Sequence, residues 1–292
     1  MAHRAACSKE NSAEARRIMS RAWQAMEKAP GVASVMPEID FSHLTDVGCV
    51  RSGNEDAIGC WPHEDGILFA IADGLGGFNA GELASALALE VLVQEMESAP
   101  RNWAVAKRLK RAVQEANLQI YTKATTVPEL RRMGTTLTAS AIVGGSLVAA
   151  HVGDCRLYLL RSGNFTQLTK DHTMVWEQVQ YGILTPEEAR THPRRNVLSR
   201  SLGHELIVGI DVLTMAVQPG DILLQCSDGV HTLVPEPEML NLLQSGASPD
   251  RVCQTIIQLA RDAGGHDNLS VQVAAVVSCS SDAPRRWWPF GR

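Results

Sequence analysis

The sequence contains no C-x-x-C pair, and its 7 cysteines are an odd number scattered from Cys7 to Cys279. That excludes a fully paired disulfide framework and the usual zinc-ribbon spacings. Several lie in apolar runs such as Leu223-Leu224-Gln225-Cys226, which suits buried free thiols in a reducing compartment. No apolar run approaches the roughly 18 residues needed to span a bilayer. Residues 1–30 also lack the apolar block of a secretion signal, so the expectation is a cytoplasmic protein without a transmembrane segment. Basic residues are in deficit, 27 Lys and Arg against 32 Asp and Glu for a net charge of −5. A nucleic-acid binder would carry a basic stripe, and none is present.

What remains is an ordinary globular composition, 292 residues of which 45% are apolar. Residues 1–40 read as an N-terminal helical extension, because Ala15, Ile18, Ala22, Ala25 and Met26 fall on one helical face. Residues 41–278 form the main domain, and 279–292, with Arg285-Arg286-Trp287-Trp288, a flexible tail. Ile67–Ala72 reads as a buried strand. Two helices follow, one with apolar faces Leu83/Leu87/Val91 and Leu89/Val93/Met96. The other carries a stripe from Trp103 to Ile120 that leaves Lys107, Arg108, Lys110 and Arg111 outside it.

Thr136–Val143, Leu147–Val152 and Arg156–Leu160 predict a meander with tight glycine turns. Residues 174–204 are polar and irregular around a short helix, with Thr185 as its cap, Pro186 in its first turn and Glu188 completing a capping box. Strands are predicted at Leu206–Thr214, Asp221–Cys226 and Leu269–Val277, and helices at Glu236–Gln244 and Pro249–Ala263. Short turns between strands favour antiparallel sheets, and paired helices disfavour a doubly wound fold. The fold class expected is α+β, with sheets at the centre and helix pairs outside.

Acidic residues recur at strand ends. Asp73 and Asp228 each end an apolar strand and precede glycine (Gly74, Gly229), Asp154 follows the strand ending at Val152, and Asp267 precedes the one beginning at Leu269. Glu55 and Asp56 stand just before the Ile67 strand. Singly, each reads as a turn residue. Together they would repel one another on one sheet rim unless a cation sat between them. Carboxylates without His or Cys partners select Mg²⁺ or Mn²⁺ over zinc. Two such ions about 3.5–4 Å apart clamp a nucleophilic water, and Arg51 suits a forked grip on phosphate.

Seven motifs then occur in order: Arg51-x-x-x-Glu55-Asp56, Asp73-Gly74-x-Gly76-Gly77, Gly134-Thr135-Thr136, Val152-Gly153-Asp154-x-Arg156, Leu168-Thr169-x-Asp171-His172-Thr173, Ser227-Asp228-Gly229 and Gly265-x-Asp267-Asn268-Leu269-Ser270. From about residue 43 to 277 the chain resembles the PP2C (PPM) family of metal-dependent serine/threonine phosphatases, especially its compact bacterial branch. The resemblance implies a central antiparallel β-sandwich flanked by helix pairs. It implies Asp73 bridging two metals with the Gly74 carbonyl on the first, Asp228 and Asp267 on the second, and Glu55 and Asp56 reaching them directly or through waters. Arg51 would hold the substrate phosphate, Asp154 a third, weaker metal, and 174–204 would be the flap beside the site.

One departure matters. Some members have His after the Asp-Gly pair as a candidate general acid, and this chain has Leu75. A serine alkoxide is a poor leaving group, so its proton must come from elsewhere. The expectation is water on a metal, the third ion included. His172 reads as a structural hydrogen-bonder and His192 as a flap residue, and neither is assigned an acid-base role. The function expected is a phosphoserine/phosphothreonine phosphatase using Mn²⁺ or Mg²⁺, opposing a cognate Ser/Thr kinase by acting on it or its targets, as a monomer. A two-metal nuclease and a catalytically dead binding module are the alternatives.

Overall fold

The structure is a computed structural model that describes residues 37–279 apart from 64–65 and 78–79. The predicted N-terminal helix and the tryptophan-containing end of the tail lie outside the described residues. In chain order the elements are β1 (Glu38–Asp46), β2 (Asp56–His63), β3 (Gly66–Leu75), α1 (Ala80–Ser98), α2 (Val105–Thr126), β4 (Gly134–Thr135), β5 (Leu137–Val143), β6 (Ser146–Val152), β7 (Arg156–Arg161) and β8 (Asn164–Gln167). There follow α3 (Met174–Gln180), α4 (Pro186–Thr191), β9 (Asp211–Ala216), β10 (Ile222–Cys226), α5 (Asp228–His231), α6 (Glu236–Gln244), α7 (Pro249–Asp262) and β11 (Leu269–Ser278).

Two antiparallel sheets run through the centre. One has the order β1-β11-β10-β7-β8, the other β2-β3-β5-β6-β9 with β4 on β3. Side-chain alternation along β3 shows how they are sandwiched. Ile67 and Phe69 meet Leu157, Leu159, Leu223 and Val276 of the opposite sheet. Leu68, Ala70 and Ala72 face the other way, against α1 and α2. A strand buried on both faces loses its apolar/polar alternation and reads as one hydrophobic run. The outer face of the first sheet packs on α6 and α7 through Leu224, Val271, Met239 and Ile256. The result is four layers, helix pair, sheet, sheet, helix pair, as expected.

Toward one end the seam between the sheets turns polar but stays satisfied. Ser140 Oγ donates to Gln225 Oε1 at 2.8 Å, Gln225 Nε2 to the Thr138 carbonyl at 2.7 Å, and Gln272 Nε2 to the Gly59 carbonyl at 3.0 Å.

The differences from expectation have local causes. β1 begins at Glu38, ahead of the predicted opening near His43. β2 went unseen because Gly59 and Pro62 break its strand signal, a composition tolerable on an edge strand. Residues 206–210 are not strand: Leu206 and Ile207 are 54% and 75% exposed, and β9 begins only at Asp211. Leu83 is exposed, and small residues (Ala84, Ala88) let α1 approach its neighbours instead. Arg108, predicted outside the stripe, is buried with its guanidinium on the Met96 carbonyl. The capping box at Thr185 and Glu188 is present.

Candidate metal centre

The aspartates stand at the ends of five strands and Glu55 in the loop before β2, and the two sheets bring those ends to one rim. Asp56 and Asp73 are cross-strand partners in β2 and β3. Asp228 follows β10, Asp154 follows β6 and Asp267 precedes β11. Backbone groups around Asp73 are fixed by Thr135 and Thr136: Asp73 N–H donates to Thr136 Oγ1 at 2.9 Å, and Thr135 Oγ1 donates to the Asp73 carbonyl at 2.8 Å. Ser227 Oγ donates to Asp56 Oδ2 at 2.8 Å.

Asn268 ties the loops together. Its Oδ1 accepts from Glu55 N–H at 2.8 Å, and its Nδ2 donates to the Val47 and Gly53 carbonyls at 3.0 and 2.9 Å. Ser85 Oγ, from α1, donates to the Glu55 carbonyl at 2.6 Å. These positioning residues escaped the sequence reading. Asn268, Ser227, Ser270 and Thr136 stood inside recognised motifs with no role assigned, and Ser85 carries no sequence signal.

The glycines serve close packing. A Cβ at Gly74 would lie 2.2 Å from the Gly81 carbonyl oxygen and 2.6 Å from that of Glu55, and one at Gly229 would lie 2.1 Å from the Asn268 carbonyl oxygen. Three chain segments can therefore converge behind Asp73 and Asp228 only if neither following residue has a side chain.

The carboxylates repel one another in a dry setting. Burial, opposed in part by hydrogen bonds from Ser270 and Ser227, pushes Asp56 up to about 7. Burial and then the charge of Asp267 push Asp228 up to about 6. Asp73 is driven well above the carboxylate range by burial and by Asp56, Asp228, Asp154 and Asp267, and Asp154 by burial, Asp228 and Asp171. Glu55 moves upward too, chiefly through burial.

Arg51 reaches this rim, its Nη2 2.7 Å from Asp267 Oδ2, with both side chains partly exposed. Burial opposes its charge, but Asp267 outweighs that and holds the guanidinium more firmly protonated. All eight predicted site residues thus gather at one end of the sandwich. Among the described residues, no three His, Cys, Asp or Glu side chains already close on a common point at ligand distance. An all-oxygen set of mutually repelling, buried carboxylates fits hard divalent cations, whose charge would relieve the repulsion.

That fit predicts a pH-dependent metal effect on stability. A carboxyl with a raised folded pKa binds its proton more tightly folded than unfolded. Its contribution to stability is therefore present at low pH and lost as pH rises from the ordinary value near ~4 through about 6 for Asp228 and about 7 for Asp56. His151 and His231, both lowered to about 4 by burial, slope the opposite way up to the ordinary histidine range. The metal-free curve alone is thus a mixture. The increment in melting temperature on adding Mn²⁺ isolates the carboxylates, and by scanning fluorimetry it should be larger at pH 8 than at pH 5. Equal increments would argue against cation binding at this cluster.

His172 and His192 fall outside the cluster. His172 Nδ1 accepts from Gly153 N–H at 3.1 Å and its Nε2 lies 3.4 Å from Asp211 Oδ2, so it braces the turn before Asp154. His192 caps α4 and accepts from Arg194 N–H at 3.1 Å. Beside Asp154 and Asp228 lies a cleft of about 530 Å³, walled by α3, α4 and Arg195 of the 174–204 segment. A second cleft, of about 630 Å³, flanks the other side of Asn196 and runs from Leu75 and Gly76 to His204.

Comparison with known proteins agrees with this geometry. Residues 50–273 match the protein phosphatase 2C family. The chain is 38% identical to the serine/threonine phosphatase stp of Listeria welshimeri over 231 residues, 78% of this chain and 92% of that one. The crystal structure of the Mycobacterium tuberculosis serine/threonine phosphatase PstP/Ppp superposes with a TM-score of 0.75 at 37% identity, covering 82% of this chain and 99% of that one. The catalytic domain of PstP in complex with 2 manganese ions gives a TM-score of 0.72 at 37% identity, over 82% and 99% of the two chains.

Proposed function

The chain belongs to the protein phosphatase 2C family of serine/threonine phosphatases, which are metal-dependent enzymes, and from that premise we propose that the acidic rim is a dinuclear Mn²⁺ or Mg²⁺ centre that hydrolyses phosphoserine and phosphothreonine in proteins. The observation that carries this reading is the convergence of five aspartates on one rim, four of them with affinities for protons raised by burial and one another. Asp73 would bridge the two ions and Gly74 would offer its carbonyl to the first. Asp228 and Asp267 would hold the second, Glu55 and Asp56 would complete the shells directly or through waters, and Asp154 with Asp228 would hold a third, weaker ion.

When bound, the cations supply the positive charge that makes a water nucleophilic near neutral pH and offsets charge on phosphorus oxygens. The chain's own residues do the rest. Asn268, Ser227 and Thr136 hold the carboxylate-bearing loops in place. Arg51, on the exposed side of the rim, turns from Asp267 to a substrate phosphate, where its fork orients the group for in-line attack. The six cysteines among the described residues are all free, and Cys155 and Cys226 are buried, with burial raising both thiols. Neither buried thiol is poised as a nucleophile, and no covalent phosphoenzyme is expected.

We further place the protein in the cytoplasm as a monomer that reverses Ser/Thr kinase signalling, by free thiols and by analogy with the relatives. Among the described residues no helix is long and apolar enough to cross a membrane. Catalysis is assigned to residues 41–278, with 174–204 as a flap. The test is hydrolysis of p-nitrophenyl phosphate and of a phosphothreonine peptide with Mn²⁺, Mg²⁺ or EDTA. Turnover with metal and none with EDTA is expected. A folded, metal-bound protein inert on both substrates would mean a binding module.

A further inference from the structure

Leu75 leaves the position after Asp73-Gly74 without a proton donor, yet the cleft that Leu75 lines also contains a histidine, His204. We propose that His204 is the general acid, protonating the leaving serine or threonine oxygen. This rests on the hydrolytic reading above.

The loop that carries His204 is built to hold it beside Leu75. Leu202 bridges to Thr135 in both directions, N–H to carbonyl at 2.8 Å and carbonyl to N–H at 3.2 Å. Thr135 in turn bonds the Asp73 carbonyl through its hydroxyl and pairs with Gly74 in β3. His204 is thus two residues along the chain from a strand bridge anchored on Asp73. On either side of it, fully buried Asn117 pins the backbone: Oδ1 accepts from Gly203 N–H at 2.9 Å, and Nδ2 donates to the Glu205 and Leu206 carbonyls at 3.0 and 3.1 Å. Gly203 has φ +90° and packs so closely on Ile120 and the Met133 carbonyl that no side chain fits. A fixed backbone therefore presents one exposed imidazole.

The ring itself is oriented. Nδ1 lies 2.7 Å from Ser201 Oγ. Nε2 lies over Gly134, 2.9 Å from where a Cβ would stand, and Gly134 is the cross-strand partner of Leu75. With Nδ1 on the serine, Nε2 is the nitrogen left to face a substrate. The ionisable groups sharing the cleft are Arg132, Arg200 and Glu205. Arg200 is engaged by Asp211 at 3.2 Å, while no ion pair to Arg132 occurs among the described residues.

In the step proposed, water attacks phosphorus and loses one proton to solvent, and the bond from phosphorus to the seryl or threonyl oxygen breaks. The departing oxygen takes the Nε2 proton of the imidazolium. Neutral His204 is then reprotonated from solvent, and the products are the free alcohol and inorganic phosphate.

Leaving-group chemistry tests this. Nitrophenolate leaves without help, whereas an alkoxide needs a proton, so His204→Gln should lower kcat on a phosphothreonine peptide by about 10²-fold or more. Its kcat on p-nitrophenyl phosphate should change less than about twofold, the difference arising because only the peptide step needs the acid. A melting temperature matching wild type shows that the fold is intact. Equal losses on both substrates, or none on either, would overturn the assignment. If wild type lacks metal-dependent turnover of p-nitrophenyl phosphate, the failure lies with the phosphatase centre and not with His204.

Discussion

Asp73→Asn and Asp228→Asn are each expected to lower metal-dependent turnover by at least about a thousandfold, several kcal/mol of metal-supplied charge stabilisation being at stake. The same substitutions should raise the melting temperature of the metal-free protein. Both aspartates sit where burial and neighbouring carboxylates oppose ionisation. At a pH above those raised values, an amide of nearly equal shape removes one charge from that cluster without leaving a cavity, so repulsion falls while packing is kept. Activity and metal-free stability moving in opposite directions is the signature of a site strained for cation binding. Isothermal titration with Mn²⁺ supplies a readout independent of turnover: each variant should lose at least one binding event. If Asp73→Asn bound Mn²⁺ and turned over like wild type, Asp73 would not be a ligand.

Legibility in the sequence followed the physics of each element. The strongest predictions were strands buried on both faces, such as Ile67–Ala72, and helices with their own punctuation, such as Glu236–Gln244 and the Thr185-Pro186-Glu187-Glu188 start. Edge elements were missed. β2 mixes Gly59, Trp61 and Pro62, and β8 (Asn164–Gln167) is four residues whose burial alternates exposed and half-buried. Their strand character comes from the neighbour they pair with, which a local pattern cannot carry. The acidic positions were legible because ligand-like residues at strand ends leave a local trace, Asp-Gly after an apolar run. Asn117 and His204 leave none. Their roles arise when α2 and the 201–206 loop meet, 86 residues apart for the Gly203–Asn117 bond.

A second large effect is expected at a pair that links two of the sequence motifs. Arg156, at the start of β7, makes a forked contact with Asp171: Nε lies 3.0 and 3.1 Å from the two carboxylate oxygens and Nη2 lies 2.7 Å from Oδ2. Gln167 Nε2 donates to the same carboxylate at 2.9 Å. Burial works against Asp171's charge, but Arg156 prevails and holds its carboxyl below the usual range. Removing Arg156 would leave that charge buried beside Asp154, which already suffers from Asp171's field. Breaking one side of a buried ion pair costs about 3–5 kcal/mol, a large share of the ~5–15 kcal/mol that holds a domain together.

Arg156→Ala should therefore melt about 10 °C below wild type, at roughly 2–4 °C per kcal/mol for a domain of this size. The sign with pH follows from Asp171. A depressed carboxylate stabilises above its unfolded value and loses that contribution as pH falls through its folded one. The gap between variant and wild type should accordingly begin to narrow below the ordinary carboxylate value of about 4 and close as Asp171, held below that range, takes up its proton. Pairing Arg156→Met with Asp171→Asn should recover much of the loss, because it is the orphaned charge that costs most. A single variant that melts within a degree of wild type at pH 8 would show the pair to be ornamental. A large loss, relieved by the double substitution, would give both motifs one physical cause: the carboxylate at 171 exists to hold the strand that follows Asp154, and through it the rim.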